Sequence, residues 1–132
     1  NPGGTPVNKK MTIAQLFENV PTHLAIDDIV TTTSTLSNLA SSFATAIDLS
    51  GASGNVAFTL DNGTDVGQLK IIYQKTEPAS SHAANITVTN FGSGTSTSNQ
   101  ISQDTLGDAV ILTWDGSNWY ILANFNSTVT LS

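Results

Sequence analysis

The chain of 132 residues is long enough for a single domain with one hydrophobic core. Only 11% of the residues are charged, and ten acidic residues against four lysines give a formal net charge of −6. This balance disfavours nucleic acid as a partner, because binding to phosphates requires clustered basic side chains. No apolar run reaches the length of a membrane span, so we expect no membrane partner, and the lack of cysteine excludes disulfides and thiolate metal sites.

Residues 1–10 contain two prolines, two glycines and no hydrophobic periodicity, which predicts an extended arm. Lys9 and Lys10 supply half of the chain's positive charge and form a basic tip on this arm. Such a tip can dock on an acidic partner surface, although a solvated terminus is the plainer interpretation.

A short helix is predicted over residues 12–20. Thr12 and Gln15 have the spacing of a capping box, and Pro21 ends the element. Apolar residues recur at helical spacing, at Ile13, Leu16, Phe17 and Val20. A helix this short is not stable alone, so the apolar stripe must rest on another surface. We therefore predict that Ile13, Leu16 and Phe17, with the two lysines of the arm, contact a partner.

The remaining chain predicts a mainly β protein. Asp27–Asp28 favours a turn, and residues 36–43 fit a helix face, a loop or a strand. Alternating or β-branched segments then predict strands at 43–49, 56–60, 69–75, 86–88 and 127–131. Asn62–Gly63 predicts a hairpin turn, and residues 91–99 predict a loop. We expect an antiparallel β-sandwich or barrel over residues 43–132, preceded by an extended arm of residues 1–42 that contains the short helix.

The strongest local signal is a hairpin over residues 107–123, in which Asp115–Gly116 suits a type I′ turn. A two-residue loop pairs Leu112 with Trp119, whereas a four-residue loop pairs Trp114 with Trp119, and both registers give the same faces. The predicted core face carries Val110, Leu112, Trp114, Trp119, Ile121 and Ala123. The opposite face carries Ile111, Tyr120 and Leu122 and is also apolar, so we expect a second sheet or another copy of the chain to cover it.

No pattern in the sequence predicts catalysis. Ser80, Ser81 and His82 lack the sequence of a nucleophile elbow. Residues 61–65 resemble the start of a calcium loop but lack its later carboxylate, so a turn is the better interpretation. The indoles and Tyr120 could form a sugar-stacking platform, but the core interpretation is stronger for the indoles, which leaves Tyr120 as the better ligand candidate. We therefore predict no enzyme activity, no cofactor and no metal site.

Several segments resemble a known module. Gly67–Ile72, Ala84–Thr89 and Gly107–Trp119, together with Met11–Pro21 and Thr31–Leu36, are similar to segments of virion proteins of marine tailed bacteriophages and some large viruses. The resemblance covers most of residues 11–123. It implies a β-rich particle component, commonly trimeric, that decorates the capsid or forms a fibre or knob, and it carries no catalytic motif.

This resemblance leads to the expectation of a capsid decoration (cement) protein, located on the outer capsid surface of the virion. As partners we expect two further copies of the chain, in a homotrimer, and the major capsid protein, on which residues 1–42 would lie. A tail fibre or tail-tip knob that contacts the host surface is the first alternative. A carbohydrate-binding β-sandwich is the second, with a host-surface glycan as the candidate ligand.

Overall fold

A computed structural model describes residues 26–30, 38–41, 43–78, 81–92 and 99–130. Within these ranges the chain forms nine strands and one short 3₁₀ helix, Leu39–Ser41. The strands are β1 Ile26–Val30, β2 Ala44–Asp48, β3 Val56–Leu60, β4 Leu69–Gln74, β5 Ala84–Val88, β6 Gln100–Gln103, β7 Ala109–Trp114, β8 Trp119–Phe125 and β9 Thr128–Thr130.

The strands form two sheets that enclose the core between them. The five-stranded sheet has the order β1-β2-β4-β7-β8, and the four-stranded sheet has the order β3-β5-β6-β9. Neither sheet closes on itself, so the molecule is a sandwich and not a barrel. The predicted mainly β class is confirmed.

The sheets are mixed, whereas the sequence predicted antiparallel ones. β1 pairs with β2, β2 with β4, and β3 with β5 in parallel, and the other pairings are antiparallel. The chain alternates between the two sheets from β2 to β5, so each strand that returns to a sheet runs parallel to the one before it. The predicted hairpin turn at Asn62–Gly63 is therefore wrong, since this segment connects strands of different sheets.

Strand pairing begins within the predicted arm. Ile26 lies opposite Ala44, and Val30 lies opposite Asp48, so β1 is an edge strand of the five-stranded sheet. The boundary expected at residue 42 thus falls inside the sheet, and Asp27–Asp28 belongs to a strand instead of a turn. Aspartate is depleted in strands, but this preference is weak and pairing with a neighbouring strand overrides it.

The core is built from the inward-facing side chains of both sheets. Its members include Ile47, Phe58, Leu60, Ile72, Ile86, Ile101, Val110, Leu112, Trp114 and Trp119, while Ile121 and Val129 are partly buried against it. The indoles of Trp114 and Trp119 contact each other with their ring centroids 5.4 Å apart and their planes tilted by 55°. Trp119 Nε1 also donates a hydrogen bond of 2.8 Å to the carbonyl oxygen of Asp61, so its polar atom is satisfied inside the core.

The β7–β8 hairpin has the four-residue connection, with Trp114 opposite Trp119. Asp115 Oδ1 accepts hydrogen bonds from the backbone amides of Asn118, at 2.7 Å, and Ser117, at 2.8 Å. These two bonds hold the pKa of the Asp115 carboxyl below its usual value. The side chain therefore stabilises the turn as an ionised acceptor.

A β-bulge in the hairpin changes one face assignment. The register shifts between Ile111 and Leu112, so Leu112 lies opposite Ile121 but Ile111 lies opposite Ala123. Leu122 is the extra residue. Ala123 was predicted on the core face, but it shares the outer face with Ile111, because a slip of one residue inverts the side-chain parity.

The turns that precede β4 and β7 have the same backbone structure. Gly67 and Gly107 both have positive φ angles, 85° and 90°. Gly67 N donates to Trp114 O at 2.8 Å, and Gly107 N donates to Gln74 O at 3.1 Å. Each turn thus closes on the end of the other strand and fixes the register of the antiparallel β4–β7 pair.

In each of these two turns, the side chain that follows the glycine bonds to the backbone of its own turn. Gln68 Oε1 accepts from Thr64 N at 2.8 Å, and Asp108 Oδ2 accepts from Asp104 N at 3.0 Å. Both side chains are buried. The shared sequence of aliphatic residue, glycine and polar residue at 66–68 and 106–108 is the signal that identifies this repeat.

Candidate interaction surface

The outward face of the five-stranded sheet is largely apolar on β4, β7 and β8. Strand pairing places Leu69 beside Thr113 and Tyr120, and Ile71 beside Ile111 and Ala123. We call this surface the apolar face and define it as Leu69, Ile71, Tyr73, Ala109, Ile111, Thr113, Tyr120, Leu122, Ala123 and Phe125. It contains no charged residue.

The largest side chains at its β8 edge are exposed to solvent. Leu122 is 61% exposed and Phe125 is 54% exposed, while Leu69 and Tyr120 are each 37% exposed. The largest contiguous apolar patch on a protein surface is often a functional one. Interface centres have the same composition, in which aromatic residues are enriched and charged residues are depleted.

The outward face of the four-stranded sheet is different. Its residues are Ala57, Thr59, Asn85, Thr87, Gln100, Ser102, Thr128 and Thr130. All but one are polar and uncharged, and Ser102 Oγ donates to Asn85 Oδ1 at 2.9 Å within this face. A hydrated surface of hydroxyl and amide groups suits solvent, so the two outer faces of the sandwich are adapted to different surroundings.

Tyr120 is held in place at one end of the apolar face. A Cβ atom on Gly92 would lie 2.4 Å from two atoms of the tyrosine ring, which shows that the ring packs directly on the glycine backbone. The tyrosine hydroxyl interacts with the Asp115 carboxylate and contributes to its lowered pKa. Tyr120 therefore presents a fixed, partly exposed ring surface.

The edge of β8 is covered at the Trp119 end. Trp119 N donates to Asn90 O, and Gly92 N donates to Trp119 O, both at 2.8 Å. Further along the strand, the bulge at Leu122 distorts the ladder. Covering segments and bulges both prevent a further strand from pairing with an edge. The Trp119 end of this edge is therefore closed to strand addition, and the bulge disfavours it further along.

The inward face of β4 carries buried polar groups. Lys70 is fully buried and its Nζ donates to Thr45 Oγ1. Gln74 Nε2 donates to Thr76 O at 3.0 Å, and Gln103 Nε2 reaches across from the other sheet to Ile72 O at 3.1 Å. Buried polar groups are costly unless they are bonded, and of these three bonds the one from Gln103 to Ile72 joins the two sheets.

Of the residues considered for catalysis, Ser80 lies outside the described residues, and His82 makes a structural bond. His82 Nδ1 donates to the backbone oxygen of Ala52 at 3.1 Å and thereby joins the segment before β5 to the turn between β2 and β3. In residues 43–78, 81–92 and 99–130, no group of three histidine, aspartate or glutamate side chains is placed to hold a metal ion. Over the same described part of the chain, no helix has the length and apolarity needed to cross a bilayer.

Both indole rings, Trp114 and Trp119, are buried, so neither is available to stack on a sugar. The predicted partner-binding residues of the arm, Lys9, Lys10, Ile13, Leu16 and Phe17, lie outside the described residues.

No protein-family model matches the chain, and no curated protein shows significant sequence similarity to it.

Proposed function

We propose that the protein is a virion structural component, a capsid decoration (cement) protein that binds the outer surface of a phage head as a homotrimer and stabilises it. The observation that supports this role best is the contrast between the two outer faces of the sandwich. The apolar face on β4, β7 and β8 carries no charged residue, and the outward face of the other sheet is covered with hydroxyl and amide groups. The assignment to a virion comes from the resemblance of the segments around Gly67–Ile72, Ala84–Thr89 and Gly107–Trp119.

The physical properties of the sandwich suit a building block of a particle. Apolar surface exposed on one side favours permanent contact with protein, because burial removes it from water at about 25 cal/mol per Å². The polar side remains hydrated and prevents further layers from adding. Asp48 Oδ1 accepts hydrogen bonds from Ser50 N at 3.0 Å and from Thr76 Oγ1 at 2.7 Å, so this carboxylate has a structural role.

Binding to heads is the direct test. Expanded heads of the parent phage that lack the protein are incubated with the purified full-length chain and sedimented, and the bound fraction and the melting temperature of the heads are measured. We expect saturable binding and a higher melting temperature. A chain that stays in the supernatant and leaves the melting temperature unchanged would refute the decoration role.

Two alternatives are separated by location and by ligand. The apolar face would serve assembly equally well on the head or in the tail, so the structure does not separate these locations. Imaging particles that carry a labelled copy distinguishes the head surface from a tail fibre or tail-tip knob. A carbohydrate-binding role predicts hits on a glycan array and a change in tryptophan fluorescence with sugar. Both indoles are buried, so neither can stack on a sugar, which disfavours that role.

A further inference from the structure

We propose that the apolar face is the contact between copies of this chain, so that a second copy covers Ile71, Ile111 and Leu122. This inference rests on the oligomer in the proposed function and names the surface that forms it. It is tested in solution without phage heads, so its failure is distinguishable from a failure of the decoration role.

Charge favours an identical copy as the occupant. The chain has a formal net charge of −6, so two copies repel each other wherever their acidic residues approach. The apolar face is a surface on which copies meet without placing like charges together, because none of its residues is charged. A strongly charged partner, by contrast, finds no complementary group there.

The composition and the size of the face support the same occupant. It presents Tyr73, Tyr120 and Phe125 with aliphatic side chains between them, which is typical of the centre of a homomeric interface. Three strands about 4.8 Å apart and about 20 Å long give a patch on the order of 300 Å². Patches of this size mark interaction sites, whereas stable interfaces bury roughly 800 Å² per partner and so extend beyond the patch.

The ends of the β4–β7 pair supply additional apolar surface. Val66 and Leu106 occupy the same position in the two equivalent turns, and they are 77% and 55% exposed. Val66 also packs against the hairpin turn, since a Cβ atom on Gly116 would lie 3.0 Å from Val66 Cγ2. These two side chains are exposed apolar groups at opposite ends of the strand pair that an interface larger than the patch could include.

The contact joins faces and not edges. The segment around Asn90 and Gly92 covers one end of β8, and the bulge at Leu122 interrupts the rest of its edge. The bulge also directs Leu122 outward from the sheet, which makes it the most exposed side chain of the apolar face. Leu122 is therefore the position at which a substitution tests the contact with the least disturbance of the core.

The experiment compares Leu122→Lys with Thr128→Lys in the full-length chain. Thr128 is exposed on the polar face of the four-stranded sheet, so both variants add the same charge to a surface strand. The molar mass is measured by sedimentation equilibrium across the micromolar range, and thermal unfolding verifies that both variants are folded. We expect a wild-type mass of three times that of the 13.8 kDa chain, as the homotrimer of the proposed function requires.

Leu122→Lys is expected to weaken association by about tenfold or more, equivalent to about 1.4 kcal/mol, because a lysine charge would have to be buried against an apolar surface. Thr128→Lys should associate like the wild type. A monomeric wild-type chain, an unchanged mass for Leu122→Lys, or equal dissociation of both variants would each overturn the proposal. A monomer that still binds heads would overturn this inference and the trimer but leave the decoration role standing, and an oligomer that does not bind them would overturn the decoration role alone.

Discussion

Replacing Gly63 with alanine should destabilise the protein strongly, because the added methyl group would collide with the centre of the core. A Cβ atom at this position would lie 2.4 Å from Cγ, 2.7 Å from Cβ and 2.8 Å from Cδ1 of Trp114. These atoms form the root of the indole and not a flexible end. The ring cannot swing away freely, since it packs against Trp119 with centroids 5.4 Å apart.

The expected cost of Gly63→Ala is about 2–3 kcal/mol, at the upper end of what overpacking a core usually costs. For a chain of this length, 1 kcal/mol corresponds to roughly 4 °C, so the melting temperature should fall by about 10 °C. Gly54→Ala is the matched control, because a Cβ at Gly54 has no atom within 4 Å. Neither glycine has a positive φ angle, so both variants lose the same backbone freedom and differ only in the collision.

Thermal unfolding followed by circular dichroism and by tryptophan fluorescence measures the effect. Gly54→Ala should match the wild type or exceed it slightly. If Gly63→Ala unfolds within a degree or two of Gly54→Ala, the close packing of Trp114 on this backbone segment is wrong.

Three further predictions concern the core and the turns. Asp108→Asn should lower the free energy of unfolding in urea by about 2 kcal/mol. The buried carboxylate, 1% exposed, accepts hydrogen bonds from Asp104 N, Thr105 N and Asn126 Nδ2, and an asparagine amide would place an N–H donor against one of these donors. A loss below about 0.5 kcal/mol would contradict this prediction. Trp119→Phe should also lower the free energy of unfolding by about 2 kcal/mol, since it removes ring volume from the core and the 2.8 Å hydrogen bond from Nε1 to Asp61 O. A urea midpoint equal to that of the wild type would contradict the structural role of this hydrogen bond. The Ser50 backbone bond, followed by hydroxyl bonds from Ser50 and Thr76, holds the pKa of Asp48 below its usual 3.8. A carboxyl whose pKa is lowered by folding stabilises the folded state above its usual pKa, and this stability is lost as the pH falls through the folded-state pKa. The difference in melting temperature between the wild type and Asp48→Asn should therefore narrow from about pH 6 to about pH 2.5. A difference that stays constant over this range would refute the prediction.

The local signals in the sequence identified most of the elements. The turn chemistry of Asp115–Gly116 and the alternation around it predicted the β7–β8 hairpin, and similar patterns located β2, β3, β4, β5 and β9 to within a few residues. β6 was missed because Gln100–Gln103 contains only one apolar residue, Ile101, and its neighbours face the polar side of the sandwich. Local preference also failed for β1, since Asp27 and Asp28 disfavour a strand but their backbone pairs with the neighbouring β2.

The amino-acid sequence by itself determined that the chain is a β protein with low charge, because side-chain alternation, turn residues and composition are local properties. Tertiary structure alone decided which strands are neighbours, since the crossing of the chain from one sheet to the other between β2 and β5 has no local signal. It also decided which side of β4 faces the core. Leu69, Ile71 and Tyr73 alternate like a core face, yet they lie outward while Lys70, Ile72 and Gln74 are buried. The apolar face follows from that choice, because only the packing of the second sheet determines which of two opposite rows of side chains is enclosed.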